Sequence, residues 1–328
     1  MSDLTGSVLV VTAHGGTDVL RVEQRPAPEA AAGEVLVEVA AAGVNFIDVY
    51  QREGVYPTTP PFVALNEGAG TVVATGAGVE GFQPGDRVAW PQGLGSGARF
   101  AALPASGLVR VPEGVDLDTA AAVMLQGLTA HYLTTSTYAV QPGDVALVHA
   151  AAGGVGQLLV QLVQARGGTV IATAGGPEKC ETVRALGAAH VVDYRSVGDL
   201  AGEVRRLTDG RGVAVVYDGV GKDTFDASLA SLRPRGMLVL FGASSGQVPP
   251  FDIQRLNAAG SLFLTRPTLG HHLATREELE WRAGEVLGAV ADGSLHVAIG
   301  GRYPLTQAAD AFDDLEGRRT QGKLLLIP

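Results

Sequence analysis

The pattern of hydrophobic positions differs between the two parts of the chain. Over roughly the first hundred residues, short valine-rich runs are bounded by glycine, proline or charged residues, as in β-strands separated by turns. These runs are Ser7–Val11, Glu34–Val39 and Gly70–Thr75. A Pro-Gly-Asp turn signal at residues 84–86 precedes another predicted strand. This block therefore predicts a compact antiparallel barrel or sandwich.

After about residue 120, apolar runs alternate with helical patterns, beginning with a predicted helix over Asp118–Thr137. The predicted strands are Val145–Ala150, Thr169–Ala174, Ala189–Tyr194, Val213–Asp218, Gly236–Phe241 and Ser261–Thr265. Short apolar strands that alternate with helices indicate a parallel sheet covered on both faces. The fold class is therefore α/β, with a Rossmann-type, doubly wound, parallel six-stranded sheet of the kind that binds dinucleotides.

The last segment is too short for a separate domain. It contains predicted helices over Arg276–Ala291 and Gln307–Leu315 and a final strand over Lys323–Ile327. We expect it to fold back onto the N-terminal block. The predicted domains are thus a β-rich catalytic domain, 1–123 with 266–328, and a dinucleotide-binding domain, 124–265.

Composition narrows the class of protein. The 328 residues are 46% hydrophobic and 18% charged, which is typical of a globular protein with a large core. The net charge of −10 disfavours broad nucleic-acid binding, and one cysteine cannot form an intrachain disulfide. No basic, apolar leader and no apolar stretch of about 18 residues occurs, so we expect a cytoplasmic protein without a membrane span. The 45 glycines are an excess that needs a structural reason.

The strongest single motif follows the strand that begins at Val145. It reads Ala151-Ala152-Gly153-Gly154-Val155-Gly156, an A-x-G-x-x-G variant of the dinucleotide fingerprint, and a predicted helix follows it. Small residues are needed there because the backbone must approach a pyrophosphate at the helix N-terminus. This strand–turn–helix context predicts nucleotide binding.

Coenzyme choice and metal content can also be interpreted from single residues. No acidic residue occupies the tip of the second predicted strand, where NAD enzymes place one, and Lys179 follows shortly after. A cation there suits a 2′-phosphate, which favours NADPH. Cys180 is the sole thiol and His149 lies in an apolar strand, so packing roles are expected for both and no metal site is predicted.

Landmarks along essentially the whole chain resemble the zinc-free, zeta-crystallin-like quinone oxidoreductases of the medium-chain dehydrogenase/reductase superfamily. The resemblance implies a GroES-like β-rich domain. Zinc-containing relatives carry a metal cysteine near Asn45 and Gly-His-Glu near Leu65-Asn66-Glu67, so both ligand positions hold asparagine here. The landmarks are His14–Gly16, Ala42–Asp48, Gly54–Pro57, Gly85–Val88, Gly127–Ala130, Ala150–Gly156, Val216–Gly221, Phe241–Gly246, Thr265–Pro267 and Arg318–Gly322.

The same resemblance implies roles for individual residues. The catalytic candidates are Asn45, Tyr50 and Tyr56, which would form the wall of the nicotinamide and substrate cleft. Phosphate contacts are implied for Thr129, Gly153, Gly154 and Val155. A clamp for the 2′-phosphate is implied for Lys179, Tyr194 and Arg318, and Gly175 is a further cofactor-binding candidate. The remaining cofactor-binding candidates are Phe46, Val220, Phe241, Gly242, Ala243, Ser244, Thr265, Arg266 and Pro267.

The function that this resemblance implies is transfer of reducing equivalents from NADPH to a quinone, without zinc and by a homodimer. The apolar last strand of the sheet, Ser261–Thr265, is the edge at which we expect two copies to pair. Reduction of conjugated enones, alkenals or enoyl thioesters is the alternative, because it uses the same cofactor and a metal-free site. A nucleotide-binding structural or RNA-binding role is more remote, given the acidic charge. Gln126 stands where close relatives can carry lysine, which leaves the preferred substrate open.

Overall fold

Two compact units make up the chain in this computed structural model, which describes residues 4–328. The β-rich unit contains the chain up to Leu128 together with Leu273–Pro328, and the parallel-sheet unit contains Thr129–His272. The sequence-based boundaries, 1–123 with 266–328 and 124–265, stay a prediction. Within the described residues, no helix combines the length and the apolar character that crossing a bilayer requires.

The N-terminal part of the β-rich unit consists of strands, one short helix and the start of a longer one. Its strands are β1 (Thr5–Val11), β2 (Leu20–Pro26), β3 (Glu34–Val44), β4 (Phe62–Val63), β5 (Glu67–Thr75), β6 (Arg87–Trp90), β7 (Phe100–Pro104) and β8 (Val109–Arg110). Helix α1 (Phe46–Arg52) follows β3 directly, and α2 (Leu117–Tyr132) crosses the division between the units. The sequence did not predict α1, because seven residues are too few to show a helical period.

The parallel-sheet unit has the strand–helix alternation that the sequence predicts. Its strands are β9 (Val145–Val148), β10 (Thr169–Ala174), β11 (His190–Asp193), β12 (Val213–Asp218), β13 (Leu232–Leu240) and β14 (Phe263–Thr265). Its helices are α3 (Gly154–Ala165), α4 (Pro177–Ala185), α5 (Leu200–Leu207), α6 (Phe225–Ser231) and α7 (Gln254–Ala258). The spatial order β11-β10-β9-β12-β13-β14 is the doubly wound dinucleotide-binding order, so the predicted fold class is confirmed. All six residues of β12 are buried, as expected for a strand covered on both faces.

The C-terminal segment returns to the β-rich unit, as predicted. It contains α8 (Arg276–Ala291), β15 (Ile299–Pro304), α9 (Ala308–Glu316) and β16 (Lys323–Ile327). Strand β16 pairs antiparallel with β3, so that Leu325 lies opposite Gly43. This pairing completes the sheet β15-β16-β3-β5-β6-β8, with β7 also on β3. The fold-back brings the start of β16 to the end of β3 and the beginning of β5, where the first part of the site lies.

Candidate active site

A pair of opposite charges lies inside the β-rich unit. Glu67 at the start of β5 is 0% exposed and Lys323 at the start of β16 is 1% exposed. The Lys323 ammonium forms an ion pair with Oε1 of Glu67, and Oε2 of Glu67 accepts a hydrogen bond from the backbone N–H of Leu125 in α2. Glu67 therefore ties three elements together: β5, β16 and α2.

The side chain of Asn45 is held by this ion pair. Its Oδ1 accepts from Lys323 Nζ at 2.7 Å and from Gln126 Nε2 at 3.1 Å. Its Nδ2 donates to Oε1 of Glu67 at 3.0 Å and to the Gly43 carbonyl at 3.4 Å. An amide offers two donor hydrogens and two acceptor lone pairs, so all four are used within the chain. Gln126, the residue that departs from the family pattern, is thus a direct partner of Asn45.

A second carboxylate lies beside Asn45. Asp48 accepts a hydrogen bond from the backbone N–H of Asn45 at 2.7 Å and another from Asn66 Nδ2 at 2.7 Å. Burial raises the pKa of Asp48 to about 6, against the opposing effect of these two hydrogen bonds. Burial also lowers the pKa of the Lys323 ammonium well below its usual range, and the charge of Asp48 opposes that shift. We call Asn45, Asp48, Asn66, Glu67 and Lys323 the buried polar cluster.

Three aromatic side chains adjoin the buried polar cluster in sequence. Phe46 and Tyr50 lie on α1, whose first turn is fixed by the bond between Asn45 and Asp48. The rings of Phe46 and Tyr50 are 6.2 Å apart, and those of Tyr50 and Tyr56 are 5.3 Å apart. The structure therefore brings together the predicted catalytic residues Asn45, Tyr50 and Tyr56, with Phe46, in one region of the β-rich unit.

The glycine turn in the parallel-sheet unit has the close packing that a dinucleotide site requires. Helix α3 begins after Gly153, and no side chain caps its first turn, which leaves the backbone N–H groups of Gly154 and Val155 at an open helix end. A Cβ at Gly156 would lie 2.5 Å from the Ala150 carbonyl oxygen. Only glycine fits there, since the helix approaches the preceding loop too closely for a side chain. Thr129 lies buried on α2 within the same unit.

The ends of β10 and β11 bring Gly175 and Tyr194 together. A Cβ at Gly175 would lie 2.5 Å from the Tyr194 hydroxyl, so the phenol lies directly against this glycine. Lys179 is half-buried in the first turn of α4, which begins two residues after Gly175. The guanidinium of Arg195 also lies here, with Nη1 3.2 Å from the Cβ position of Gly176. Sequence reasoning missed Arg195, although it directly follows Tyr194 at the end of β11.

The loops after β12 and β13 are joined by backbone hydrogen bonds. The N–H of Ser244 donates to the Gly219 carbonyl at 3.3 Å, and the N–H of Ser245 donates to the Val220 carbonyl at 2.9 Å. The predicted nicotinamide-side residues Val220, Phe241, Gly242, Ala243 and Ser244 therefore form one group. Thr265 ends β14 opposite Val239 of β13, and Arg266 and Pro267 follow it.

The proposed 2′-phosphate clamp is divided between the units. Lys179 and Tyr194 belong to the parallel-sheet unit, as does the candidate Gly175, whereas Arg318 belongs to the β-rich unit. Arg318 is exposed in the turn between α9 and β16, with a left-handed φ of 54°. The assignment of these residues to coenzyme binding stays a prediction.

Comparisons with known proteins define the class. Residues 31–113 match the family model described as alcohol dehydrogenase GroES-like domain, and residues 154–283 match the model described as zinc-binding dehydrogenase. The chain is 43% identical to a quinone oxidoreductase of Pseudomonas aeruginosa over 96% of this chain and 98% of that protein. It is 41% identical to a 2-haloacrylate reductase of Burkholderia over 97% and 98% of the two chains. A mycobacterial structure complexed with NADPH matches with a TM-score of 0.95 at 50% identity, covering 98% of this chain and 100% of that one.

These findings show that the chain is a medium-chain dehydrogenase/reductase, since it contains a GroES-like part and a doubly wound parallel sheet. Within that superfamily the chain belongs to the quinone oxidoreductase family, as the resemblance indicated.

The name of the second family model raises the question of a zinc ion. Across residues 4–328, no three histidine, cysteine, aspartate or glutamate side chains are grouped as a metal site requires. Structural and catalytic zinc sites use at least three such ligands. Asn45 and Asn66 are instead bound to their neighbours, and the ammonium of Lys323 lies against Asn45, where it would repel a dication. The residues present do not fit zinc.

Proposed function

We propose that the protein is an NADPH-dependent oxidoreductase that passes reducing equivalents to a quinone. The observation that carries this proposal is the end-to-end similarity to the Pseudomonas aeruginosa quinone oxidoreductase, together with the NADPH-complexed structure of the mycobacterial relative. The geometry of the glycine turn agrees with it. The direct test is coenzyme consumption by the purified protein, measured with and without a quinone.

Different groups of residues suit the different parts of NADPH: the pyrophosphate, the 2′-phosphate and the nicotinamide ring. Backbone N–H groups at Gly153–Val155 suit the pyrophosphate, with the hydroxyl of Thr129 as a further donor. Lys179, Tyr194 and Arg318 suit the 2′-phosphate, and Arg195 adds a guanidinium at the same strand ends. The loops that carry Val220, Phe241–Ser244 and Thr265–Pro267 suit the nicotinamide ring. Bound NADPH supplies the hydride, and the protein supplies position and electrostatics.

The β-rich unit would contribute the wall against which a planar acceptor stacks. Phe46, Tyr50 and Tyr56 offer ring faces, and the tyrosine hydroxyls can donate a hydrogen bond to an acceptor oxygen. Asn45 remains the proposed third catalytic residue. Because its amide is already fully bonded, its contribution to the wall is a fixed surface held by Glu67 and Lys323 rather than a free hydrogen-bonding group. An acceptor that is already electron-poor, such as a quinone, needs less polarisation than a simple carbonyl does.

Reduction of a conjugated carbon–carbon double bond is the second candidate. It is favoured by the sequence identity of 41% with a 2-haloacrylate reductase, a value close to the 43% identity with the quinone oxidoreductase. The same aromatic wall would accept a small conjugated acid or enone. A panel of quinones, enones, enoyl thioesters and 2-haloacrylates distinguishes the two reactions.

We also propose a homodimer and a cytoplasmic location. The three-residue strand β14 lies at the edge of the parallel sheet, where Phe263 is 56% exposed, and an exposed apolar edge can pair with a second copy across a two-fold axis. Sedimentation velocity tests the dimer, since the Phe263→Glu variant should then sediment as a monomer. Cell fractionation tests the location, which is supported by the use of an intracellular coenzyme.

A further inference from the structure

One row of polar side chains crosses the apolar parallel sheet at the carboxyl ends of its strands. The pairing registers place Ala172 of β10 opposite Val148 of β9, and Val148 opposite Tyr217 of β12. The next residue of each chain segment is polar: Thr173, His149 and Asp218 are 2%, 2% and 0% exposed. Buried polar groups are costly unless they are hydrogen-bonded, so this row needs internal partners.

Helix α6 supplies the missing partner in Ser228, which is also 0% exposed. The Thr173 hydroxyl is 3.1 Å from Nδ1 of His149, and Nε2 of His149 is 2.9 Å from the Ser228 hydroxyl. The Ser228 hydroxyl donates to Oδ2 of Asp218 at 2.7 Å. The four side chains therefore form a continuous chain of hydrogen bonds.

Chemistry fixes the direction of that chain. The Asp218 carboxylate can only accept hydrogen bonds, so the Ser228 hydroxyl donates its single hydrogen to Asp218. The oxygen of Ser228 therefore accepts a hydrogen bond from Nε2–H of His149. Burial lowers the pKa of His149 against the opposing charge of Asp218, which favours the neutral imidazole. A neutral imidazole with its proton on Nε2 has a bare Nδ1, which accepts from the Thr173 hydroxyl. Every donor thus points toward Asp218.

The chain of hydrogen bonds lies next to three loops of the parallel-sheet unit. Thr173 comes two residues before Gly175, and its carbonyl accepts from the Ala151 N–H at 2.9 Å. His149 immediately precedes the glycine turn. Asp218 Oδ1 accepts from the N–H groups of Val220 and Gly221 at 2.8 and 3.0 Å.

We propose that Thr173, His149, Ser228 and Asp218 are positioning residues that hold the 2′-phosphate, pyrophosphate and nicotinamide loops in the one arrangement that binds NADPH. The inference rests on the proposed function for its ligand. It assigns a cofactor-affinity role to four buried residues that act through the loops above them.

Two serines of α6 provide a matched pair of variants. Ser231 is also 0% exposed, but its hydroxyl donates to the Ala227 carbonyl of its own helix. Ser228→Ala should raise the Kd for NADPH by about tenfold, since it leaves Nε2–H of His149 without its acceptor and removes one of the donors to Asp218 Oδ2, the other being the Thr224 hydroxyl. Ser231→Ala should leave the Kd within about twofold of the wild-type value. The Kd is measured by fluorescence titration, and urea midpoints measure stability separately. Equal Kd values for the two variants would overturn the proposal.

Thr173 gives a second comparison that does not depend on Ser228→Ala folding. Thr173→Val keeps the shape and loses the hydroxyl, whereas Thr173→Ser keeps the hydroxyl. NADPH binding should weaken in the first variant and be retained in the second. If the two variants bind alike, the hydroxyl does not position the loops.

The tautomer of His149 is measured on the protein without coenzyme, by nitrogen-15 NMR of labelled histidine with a His149→Gln spectrum for assignment. We expect a proton on Nε2 and none on Nδ1 at neutral pH, and the reverse tautomer or an imidazolium contradicts the chain. If the wild-type protein fails to bind NADPH while this tautomer is found, the proposed function is wrong and the hydrogen-bond chain stands without its cofactor role.

Discussion

At the scale of single residues, the buried ion pair between Lys323 and Glu67 limits which substitutions the β-rich unit tolerates. Two opposite charges buried together gain little over an apolar pair of the same size, because each has lost its hydration. Removing one partner alone is different, since it leaves a buried charge without compensation. The pair therefore makes each of its members difficult to replace singly.

A double-mutant cycle tests this coupling. We expect Glu67→Gln to lower the free energy of unfolding by about 3–5 kcal/mol, because it leaves Lys323 buried without its carboxylate partner. The double variant Glu67→Gln/Lys323→Met should lose less than the sum of the single losses, by about 2 kcal/mol or more. Urea denaturation of the four proteins gives the cycle. Additive losses would show that the two side chains do not compensate one another.

Gly43 is fixed by the same pair. The Cβ of an alanine at this position would overlap Oε1 of Glu67 and lie 2.5 Å from Cε of Lys323. Gly43→Ala should cost about 1–3 kcal/mol of stability, since neither charged group can move away. Gly288→Ala is the control, because its Cβ would meet open space on the exposed face of α8 and should stabilise that helix by up to about 1 kcal/mol. Thermal melts of both variants check the contrast, and a Gly43→Ala protein as stable as wild type contradicts it.

Asp48 predicts a pH dependence of stability. Its pKa is about 6 in the folded protein against an ordinary value of 3.8, so the folded state binds its proton more tightly than the unfolded state does. The free energy of unfolding should therefore fall as pH rises from about 4 through about 6, by up to about 3 kcal/mol for this group. Asp48→Asn does not titrate, so the stability of wild type relative to this variant should decline over that window. A difference independent of pH would mean that Asp48 titrates normally.

At the scale of elements, the sequence predicts the features that depend on residues close together in the chain. The six parallel strands were predicted because each is a continuous apolar run that ends at small or polar residues. His149 is packed and hydrogen-bonded inside the sheet, as its place in an apolar strand predicts. Strand β13 begins at Leu232, earlier than predicted, because Arg233 and Pro234 interrupt its apolar pattern.

Long-range contacts were the part that the sequence could not provide. Lys323 lies 256 residues from Glu67, and only the pairing of β16 with β3 brings the two together. Nothing in the local pattern around Lys323 distinguishes it from a charged residue at a strand end. Arg195 was missed for the same reason, since its approach to Gly175 and Gly176 depends on the register of β11 against β10.

The ends of β10 and β11 should determine which coenzyme is used. We expect Lys179→Ala and Arg195→Ala each to reduce the preference for NADPH over NADH by about tenfold, because each removes a cation that suits the 2′-phosphate. Arg184→Ala is the control, since Arg184 is an exposed residue of the same helix α4 that pairs with Glu181. The measurement is the ratio of kcat/KM with the two coenzymes. Retention of the full preference in either cation variant would remove that residue from the clamp.

At the scale of the whole molecule, the protein consists of two units with different chemical features. The parallel-sheet unit has the loops of a dinucleotide site, and the β-rich unit has an aromatic wall beside a buried cluster that does not fit zinc. Both units need glycine at particular positions. At Gly43, Gly156 and Gly175 the neighbouring groups leave no room for a Cβ. The glycine excess seen in the composition thus has two structural causes: close packing at such positions, and turns, since 18 glycines have a left-handed φ.

Steady-state NADPH oxidation by the purified protein, measured with a panel of acceptors, decides between the candidate functions. We expect turnover with quinones, at a higher kcat/KM than with enones, enoyl thioesters or 2-haloacrylates, and a preference for NADPH over NADH. Turnover with conjugated double bonds alone would establish the second candidate function instead. Retention of RNA without any NADPH turnover would contradict an oxidoreductase altogether.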